Sequence, residues 1–315
     1  MNFSGVIKNE ILNKPIKENH CKKAFLAGLI RGSGALYQTE DGRLGLDFTV
    51  HSEDIAYTVA KYFEILFNYE LREGSVSEDR LNKKDKFTLT ISGEKATEIL
   101  SELGILIEID GETAVNLKLY GDITERECCL KWFIKGLFLA TGTCTVPSHA
   151  DSKNTGYHLE MVFSHYTPAL ETSEKLASFG VMTKITRRKE SYIVYIKSAE
   201  EIKNFTAFLQ TPVSVLKLTD LMINRELVNN TNRRKNCDLG NLNRQVEAVA
   251  KQTDAIKKIQ ATIGLDSLKK DLLETANARL NNPDETLSEL AEILGVTKSC
   301  LNHRLRKLVA IADEI

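Results

Sequence analysis

Apolar residues recur at helical spacing in two windows that end alike. Residues 23–34 read KAFLAGLIRGSG and residues 131–142 read KWFIKGLFLATG. Aligned without a gap, Lys23 meets Lys131, Phe25 meets Phe133, Gly28 meets Gly136, Leu29 meets Leu137 and Gly34 meets Gly142, at a constant offset of 108 residues. The patterns behind the two windows repeat as well. After the first, ALYQTEDGRLGLDFTVHS alternates around an Asp41–Gly42 turn, EDIAYTVAKYFEILF is helical, KFTLTIS alternates and GEKATEILSELGI is helical. After the second come GYHLEMVFSH, the helical TPALETSEKLASFG, the strands MTKITRR and SYIVYIK, and the helical SAEEIKNFTAFL. The simplest organisation is a duplicated αββαββα unit with residues 105–123 as the join.

Beyond Thr211 the alternating patterns stop. PVSVLKLTDLMINRELVNN reads as one helix and LNRQVEAVAKQTDAIKKIQATIG as another, with TNRRKNCDLGN expected to interrupt them. The last segment, TLSELAEILGVTKSCLNHRLRKL, has the pattern of a helix-turn-helix. Leu287, Leu290, Ala291, Leu294, Val296, Leu301 and Leu305 supply the apolar contacts, and Gly295 the turn. Thr286 and Glu289 are spaced as a capping box at its first helix. The expected fold is therefore α+β: two pseudo-symmetric repeats, then an all-α helix-turn-helix domain. Residues 1–210 form the first domain (repeats about 20–105 and 124–210), 211–264 a helical linker and 265–315 the terminal domain.

A glycine inside a helix costs about 0.5–1 kcal/mol relative to alanine, so Gly28 and Gly136 point to another backbone passing close by. The two copies packing on each other would put both at the contact. RGSG reads as a helix C-terminus with glycine where positive φ is favoured. A phosphate loop is excluded, because the G-x-x-x-x-G-K-[ST] lysine and a preceding apolar strand are both missing.

Composition narrows the chemistry. A net charge of -1 with 27% charged residues means that a nucleic-acid surface has to be a local patch. One patch is the second helix of the terminal motif. Its exposed side carries Thr297, Lys298, Ser299, Asn302, His303 and Arg306, with Arg304 and Lys307 flanking, residue types that reach phosphates and base edges. A second excess of cations lies around Arg233, Arg234, Lys235 and Arg244. On the expected strands, Lys83, Lys84 and Lys86 in one half and Lys184, Arg187, Arg188 and Lys189 in the other are further candidates, interleaved with Asp79, Asp85 and Glu190. The opening MNFSGVIKNEIL is too short an apolar run for a secretory signal, and no window reaches the roughly 18–20 apolar residues of a membrane span. A cytoplasmic, nucleoid-associated protein is expected. Cys21, Cys128, Cys129, Cys144, Cys237 and Cys300 form no C-x-x-C pair, and His149, His158 and His165 have no ligand spacing. Reduced, unpaired thiols, no metal and no cofactor are expected.

The duplicated L-A-G-L-I-x-G-x-G helix in an αββαββ setting resembles the two-copy LAGLIDADG homing endonucleases. That resemblance implies two motif helices packed at a pseudo-twofold axis, each contributing at its eighth position an acid that binds the catalytic metal. Here Ser33 and Thr141 replace those acids, and a hydroxyl supplies no anionic oxygen for a hard cation. Glu40 and Asp41 lie in the hairpin loop of one copy only. No catalytic residue is therefore assigned. Taken with NCDLGNLNR and the terminal NHRLRKL, the whole chain resembles the WhiA family of bacterial transcriptional regulators. The resemblance implies a non-cleaving, sequence-specific regulator of transcription that binds double-stranded DNA, with a possible protein co-regulator and links to sporulation, cell division or chromosome segregation. Two alternatives stand beside it: an endonuclease with an unusual metal site, and a scaffold whose helix-turn-helix docks a protein.

Overall fold

The computed structural model describes residues 3–40, 42–79, 84–116, 118–119, 121–149 and 156–315. Its contacts divide the chain into two compact units, Met1–Glu226 and Leu227–Ile315.

In the first unit, helix α1 (Phe3–Leu12) precedes the first repeat, which runs α2 (Asn19–Ser33), β1 (Gly34–Gln38), β2 (Leu44–Val50), α3 (Glu53–Phe67), β3 (Arg72–Asp79), β4 (Lys84–Ile91) and α4 (Ala96–Glu102). A hairpin, β5 (Leu106–Ile109) and β6 (Glu112–Val115), follows. The second repeat runs α5 (Glu127–Thr141), β7 (Gly142–Thr145), β8 (His158–Phe163), α6 (Tyr166–Ser178), β9 (Lys184–Arg188), β10 (Ser191–Ile196) and α7 (Ala199–Phe208). Each repeat is thus the expected αββαββα. The two four-stranded antiparallel sheets share one order, β1-β2-β4-β3 and β7-β8-β10-β9. Strand alternation sends Leu46, Phe48 and Val50 to the helices and leaves Asp47 and Thr49 on the other face, where Thr90 Oγ1 donates to Asp47 Oδ1 over 2.6 Å.

The motif helices α2 and α5 form the centre of the unit. Phe25, Leu26, Leu29, Phe133, Leu137 and Phe138 are all buried there. A Cβ built on Gly28 would fall on the Phe133 carbonyl, and one built on Gly136 on the Phe25 carbonyl. Each glycine therefore lets the partner helix's backbone in. Gly32 continues the seam, since a Cβ there would lie 2.6 Å from Ala140 Cβ. Contacts advance together along both helices, from Gly28 against Phe133 to Gly32 against Ala140, so the pair runs parallel.

Four features depart from the sequence reading. Gly34 and Gly142 have φ of -84° and -86°, not positive φ. Crowding explains them: a Cβ on Gly34 would lie 2.6 Å from the Ile30 carbonyl oxygen, and one on Gly142 would strike the Phe138 ring. Residues 3–12, considered only as a leader, form a helix burying Phe3, Ile7 and Ile11 at i, i+4, i+8. The join contains a hairpin turned at Asp110 and Gly111, both with positive φ, the Asp-Gly signal of a two-residue turn. The Asp41–Gly42 turn falls partly outside the described residues, because Asp41 does; Gly42 has φ of +79°.

The fourth departure is the largest. No interruption occurs at TNRRKNCDLGN; a single helix α8 (Pro212–Thr262) runs for 51 residues, about 77 Å at 1.5 Å per residue. Pro212 stands at its first turn, and the Glu10 carboxylate accepts from the Val213 and Ser214 amides at 2.8 and 2.9 Å, capping the start. Glycine and asparagine lower helix propensity by at most about 1 kcal/mol each, too little to break a helix anchored at both ends. Gly240 meets nothing within 4 Å of a built Cβ. Gly240→Ala is therefore expected to stabilise α8 by about 0.5–1 kcal/mol, read as slower amide exchange at residues 236–244. Unchanged or faster exchange there would contradict a continuous helix.

In the second unit, the end of α8 packs with α9 (Lys270–Asn281), α10 (Leu287–Ile293) and α11 (Lys298–Glu314) around Ile256, Ile259, Leu272, Leu290, Leu301, Leu305 and Leu308.

Candidate nucleic-acid interface

Two places follow from the sequence: the C-terminal ends of the motif helices, and the second helix of the terminal motif.

At the first, Ser33 Oγ donates to the Leu29 carbonyl over 3.1 Å and Thr141 Oγ1 to the Leu137 carbonyl over 2.9 Å. Both hydroxyls thus turn back onto their own helices by the same i−4 bond. The adjacent Arg31 guanidinium donates to the carbonyls of Asn116 (2.8 Å) and Gly104. Burial pushes its pKa down, opposed by the Glu171 carboxylate. Arg31 is therefore occupied in tying the join hairpin to α2. A cavity of about 260 Å³ opens beside it, between Ile30, Gly32, Val162 and Pro168, and no carboxylate lines it. Among the described residues, the polar groups at this end are satisfied internally and the cavity lining offers no carboxylate to a hard cation, the Glu171 carboxylate being taken up by the Leu119 amide.

The second place is built differently. Thr286 Oγ1 accepts from the Glu289 amide over 3.3 Å and the Glu289 carboxylate accepts from the Thr286 amide over 2.8 Å, so α10 starts on the expected capping box. The Thr286 amide and hydroxyl together hold the Glu289 carboxyl below the usual carboxylate range. The helix stops at Gly295, whose φ of +64° makes the tight turn; the Val296 amide closes it on the Ala291 carbonyl at 2.9 Å. Thr297 then caps α11, its side chain accepting from the Cys300 amide.

Along α11, Leu301, Leu305, Leu308 and Ala312 face the core. Thr297, Lys298, Ser299, His303, Arg306 and Lys307 are exposed, and Asn302 is half-buried beside them. Lys298, Asn302 and Arg306 follow one another at four-residue steps and so share one side of the helix. Arg304 differs from its neighbours: it is half-buried and turned to α9, its Nε 3.9 Å from the Asp271 carboxylate. From Thr297 to Ala312 the chain has four cations and no carboxylate, and the first turn of α11 carries no acid. A basic face beside an open helix N-terminus suits a phosphate backbone. Below it, the Arg279 side chain is fully buried and donates to the Glu285 carbonyl over 2.9 Å, holding the segment that leads into α10.

The strand cations sit among acids. Arg188 lies 3.8 Å from Glu160 and Arg187 3.8 Å from Glu190. Lys83 lies outside the described residues. On α8, Arg233, Arg234 and Lys235 are exposed. No helix among the described residues is long and apolar enough to cross a membrane.

Comparison with known proteins agrees with this architecture. Three family models match in sequence: the WhiA N-terminal LAGLIDADG-like domain over residues 19–106, the WhiA LAGLIDADG-like domain over 130–228 and the WhiA C-terminal HTH domain over 231–312. The chain is 32% identical to "Probable cell division protein WhiA" of Clostridium novyi over 318 residues, covering 100% of this chain and 98% of that one. It is 34% identical to the protein of the same description from Brevibacillus brevis, again covering 100% and 98%. Among solved structures, full-length DUF199/WhiA from Thermatoga maritima shares the fold, with a TM-score of 0.57 at 22% identity over 100% of this chain and 99% of that one. With relatives at this identity aligned from end to end, the chain belongs to the WhiA family.

Proposed function

We propose that this chain is a sequence-specific DNA-binding regulator of transcription that does not cleave DNA. The observation that carries the reading is the outer face of α11, where Lys298, Ser299, His303, Arg306 and Lys307 are exposed, Asn302 is half-buried beside them, and Thr297 caps a helix start that holds no acid. Lys298, Arg306 and Lys307 supply phosphate contacts, while Asn302 and Arg306 have the donor geometry to read base edges. Arg304 contributes positive potential from its place beside Asp271. The duplicated domain keeps the packing of a homing endonuclease without its acids and serves as a docking body for a co-regulator. Relatives described as probable cell division proteins support a place in cell division. Association with the nucleoid follows from binding DNA.

The test uses the full chain and genomic fragments at one fixed, moderate salt concentration. Lys298→Ala with Arg306→Ala is expected to weaken binding to the preferred fragment by tenfold or more, since a lost bidentate base contact alone costs about 1–3 kcal/mol. Unchanged affinity would remove α11 as the reading element. Site-specific nicking of a bound plasmid in Mg²⁺ or Mn²⁺ would overturn the non-cleaving part.

A further inference from the structure

The 108-residue offset that pairs the two motif glycines also pairs His20 with Cys128 and Cys21 with Cys129. These four residues occupy the first turns of α2 and α5, and the parallel packing of the helices brings them together. His20 Nδ1 lies 3.1 Å from Cys129 Sγ and 3.3 Å from Cys21 Sγ. One ligand atom from each of the four falls within 4.8 Å of all the others. In a tetrahedral zinc site, with Zn–S about 2.3 Å and Zn–N about 2.0 Å, ligand atoms stand about 3.6–3.8 Å apart. Shifts of a few tenths of an ångström in His20 and about one in the widest pair bring this cluster to that geometry. Cys21 and Cys129 are buried, His20 is half-buried and Cys128 faces solvent, leaving an entry path.

We propose that His20, Cys21, Cys128 and Cys129 bind one zinc ion that pins the N-terminal ends of the two motif helices to each other. Loading forms three Zn–S bonds and one bond to His20 Nδ1, releases the three thiol protons to solvent and transfers no electron. A Zn²⁺ ion with three thiolates and a neutral imidazole carries one net negative charge. Burial of Cys21 and Cys129 disfavours that charge, and two cations oppose the effect. Lys135 on α5 is 1% exposed, its Nζ has no hydrogen-bond partner, and it rests 3.9 Å above the Trp132 ring within electrostatic reach of Cys21. Arg126 acts in the same way on Cys129. An ammonium buried without a partner is costly, and an anionic centre offsets that cost. Two helix N-termini converging on the site favour thiolates further.

The site is structural in kind: four protein ligands close the coordination sphere. It lies about 18 Å from Ser33, twelve residues along α2, at the opposite end of the helix pair from the motif acids of the nucleases. Neither half shows a metal spacing by itself, because each helix supplies only two adjacent ligands.

The full chain, expressed with zinc supplementation and purified with a thiol reductant and no chelator, is expected to hold about one zinc per molecule by elemental mass spectrometry. Exchange with Co²⁺ should give the intense ligand-field bands of a tetrahedral site with thiolate-to-metal charge transfer. Cys128→Ser, at the solvent-facing ligand, is expected to weaken zinc at least tenfold against a chromophoric chelator while circular dichroism stays unchanged. Cys300→Ser should bind as the parent does. Folded, reduced protein with no zinc and an octahedral Co²⁺ spectrum would overturn the proposal. So would full affinity in Cys128→Ser, or a Cys21–Cys129 disulfide in the freshly purified chain.

Discussion

Gly28→Ala is expected to destabilise the first unit by about 3 kcal/mol or more, and Gly136→Ala by a similar amount. Helix propensity argues the other way, since alanine for glycine in a helix is worth roughly 1 kcal/mol in its favour. Packing outweighs it. The added methyl at either site lands on a carbonyl of the partner helix, at Phe133 or Phe25, and not on the tip of a flexible side chain. The helices must separate, loosening the seam of Phe25, Leu29, Phe133 and Leu137 along its length. Since one separation serves both sites, the double variant should cost less than the sum of the singles. Urea denaturation midpoints measure all three. A Gly28→Ala protein as stable as its parent would show that the helices do not touch there, and Gly240→Ala provides the control of opposite sign.

Leu305→Ala is expected to destabilise the second unit by about 2–5 kcal/mol, the range for a buried leucine truncated in a core that collapses only partly. Leu305 is 1% exposed in a small cluster with Leu272, Leu290, Leu301 and Leu308, so a loss of this size is a large part of the usual 5–15 kcal/mol of a whole domain. DNA affinity should fall with it, because α11 carries both this core stripe and the basic face. Hydrogen exchange separates local from global loss: protection should fall in α9–α11 and persist in α2 and α5. Protection retained throughout would mean that the cluster contributes little to holding α11 in place.

Much of this was legible in the chain. Period-2 and period-3.6 stretches in alternation carry the αββαββα order, and a constant offset carries the pseudo-symmetry. The terminal motif was readable because its signals are local: Thr286 with Glu289, then Gly295, then Leu301 and Leu305. What escaped depends on partners distant in sequence. α8 stays continuous past Gly240 because its ends are held, by Glu10 at the start and by Ile256 and Ile259 near the close. Gly34 and Gly142 are dictated by crowding against Ile30 and Phe138, which no dipeptide rule encodes. His20 and Cys128 belong to one cluster only once two helices 108 residues apart lie side by side. On the strands, the acids among the cations are readable in sequence, but their pairing with particular arginines is not.

The back-bonded hydroxyls of Ser33 and Thr141 have a consequence for the stability of the helix pair. A carboxylate at each position would stand at the negative end of its own helix dipole and near its twin, and the two would repel unless a cation were bound between them. A hydroxyl that satisfies itself on Leu29 or Leu137 avoids that repulsion. That end of the helix pair therefore closes on its own hydrogen bonds, and its packing calls for no ion.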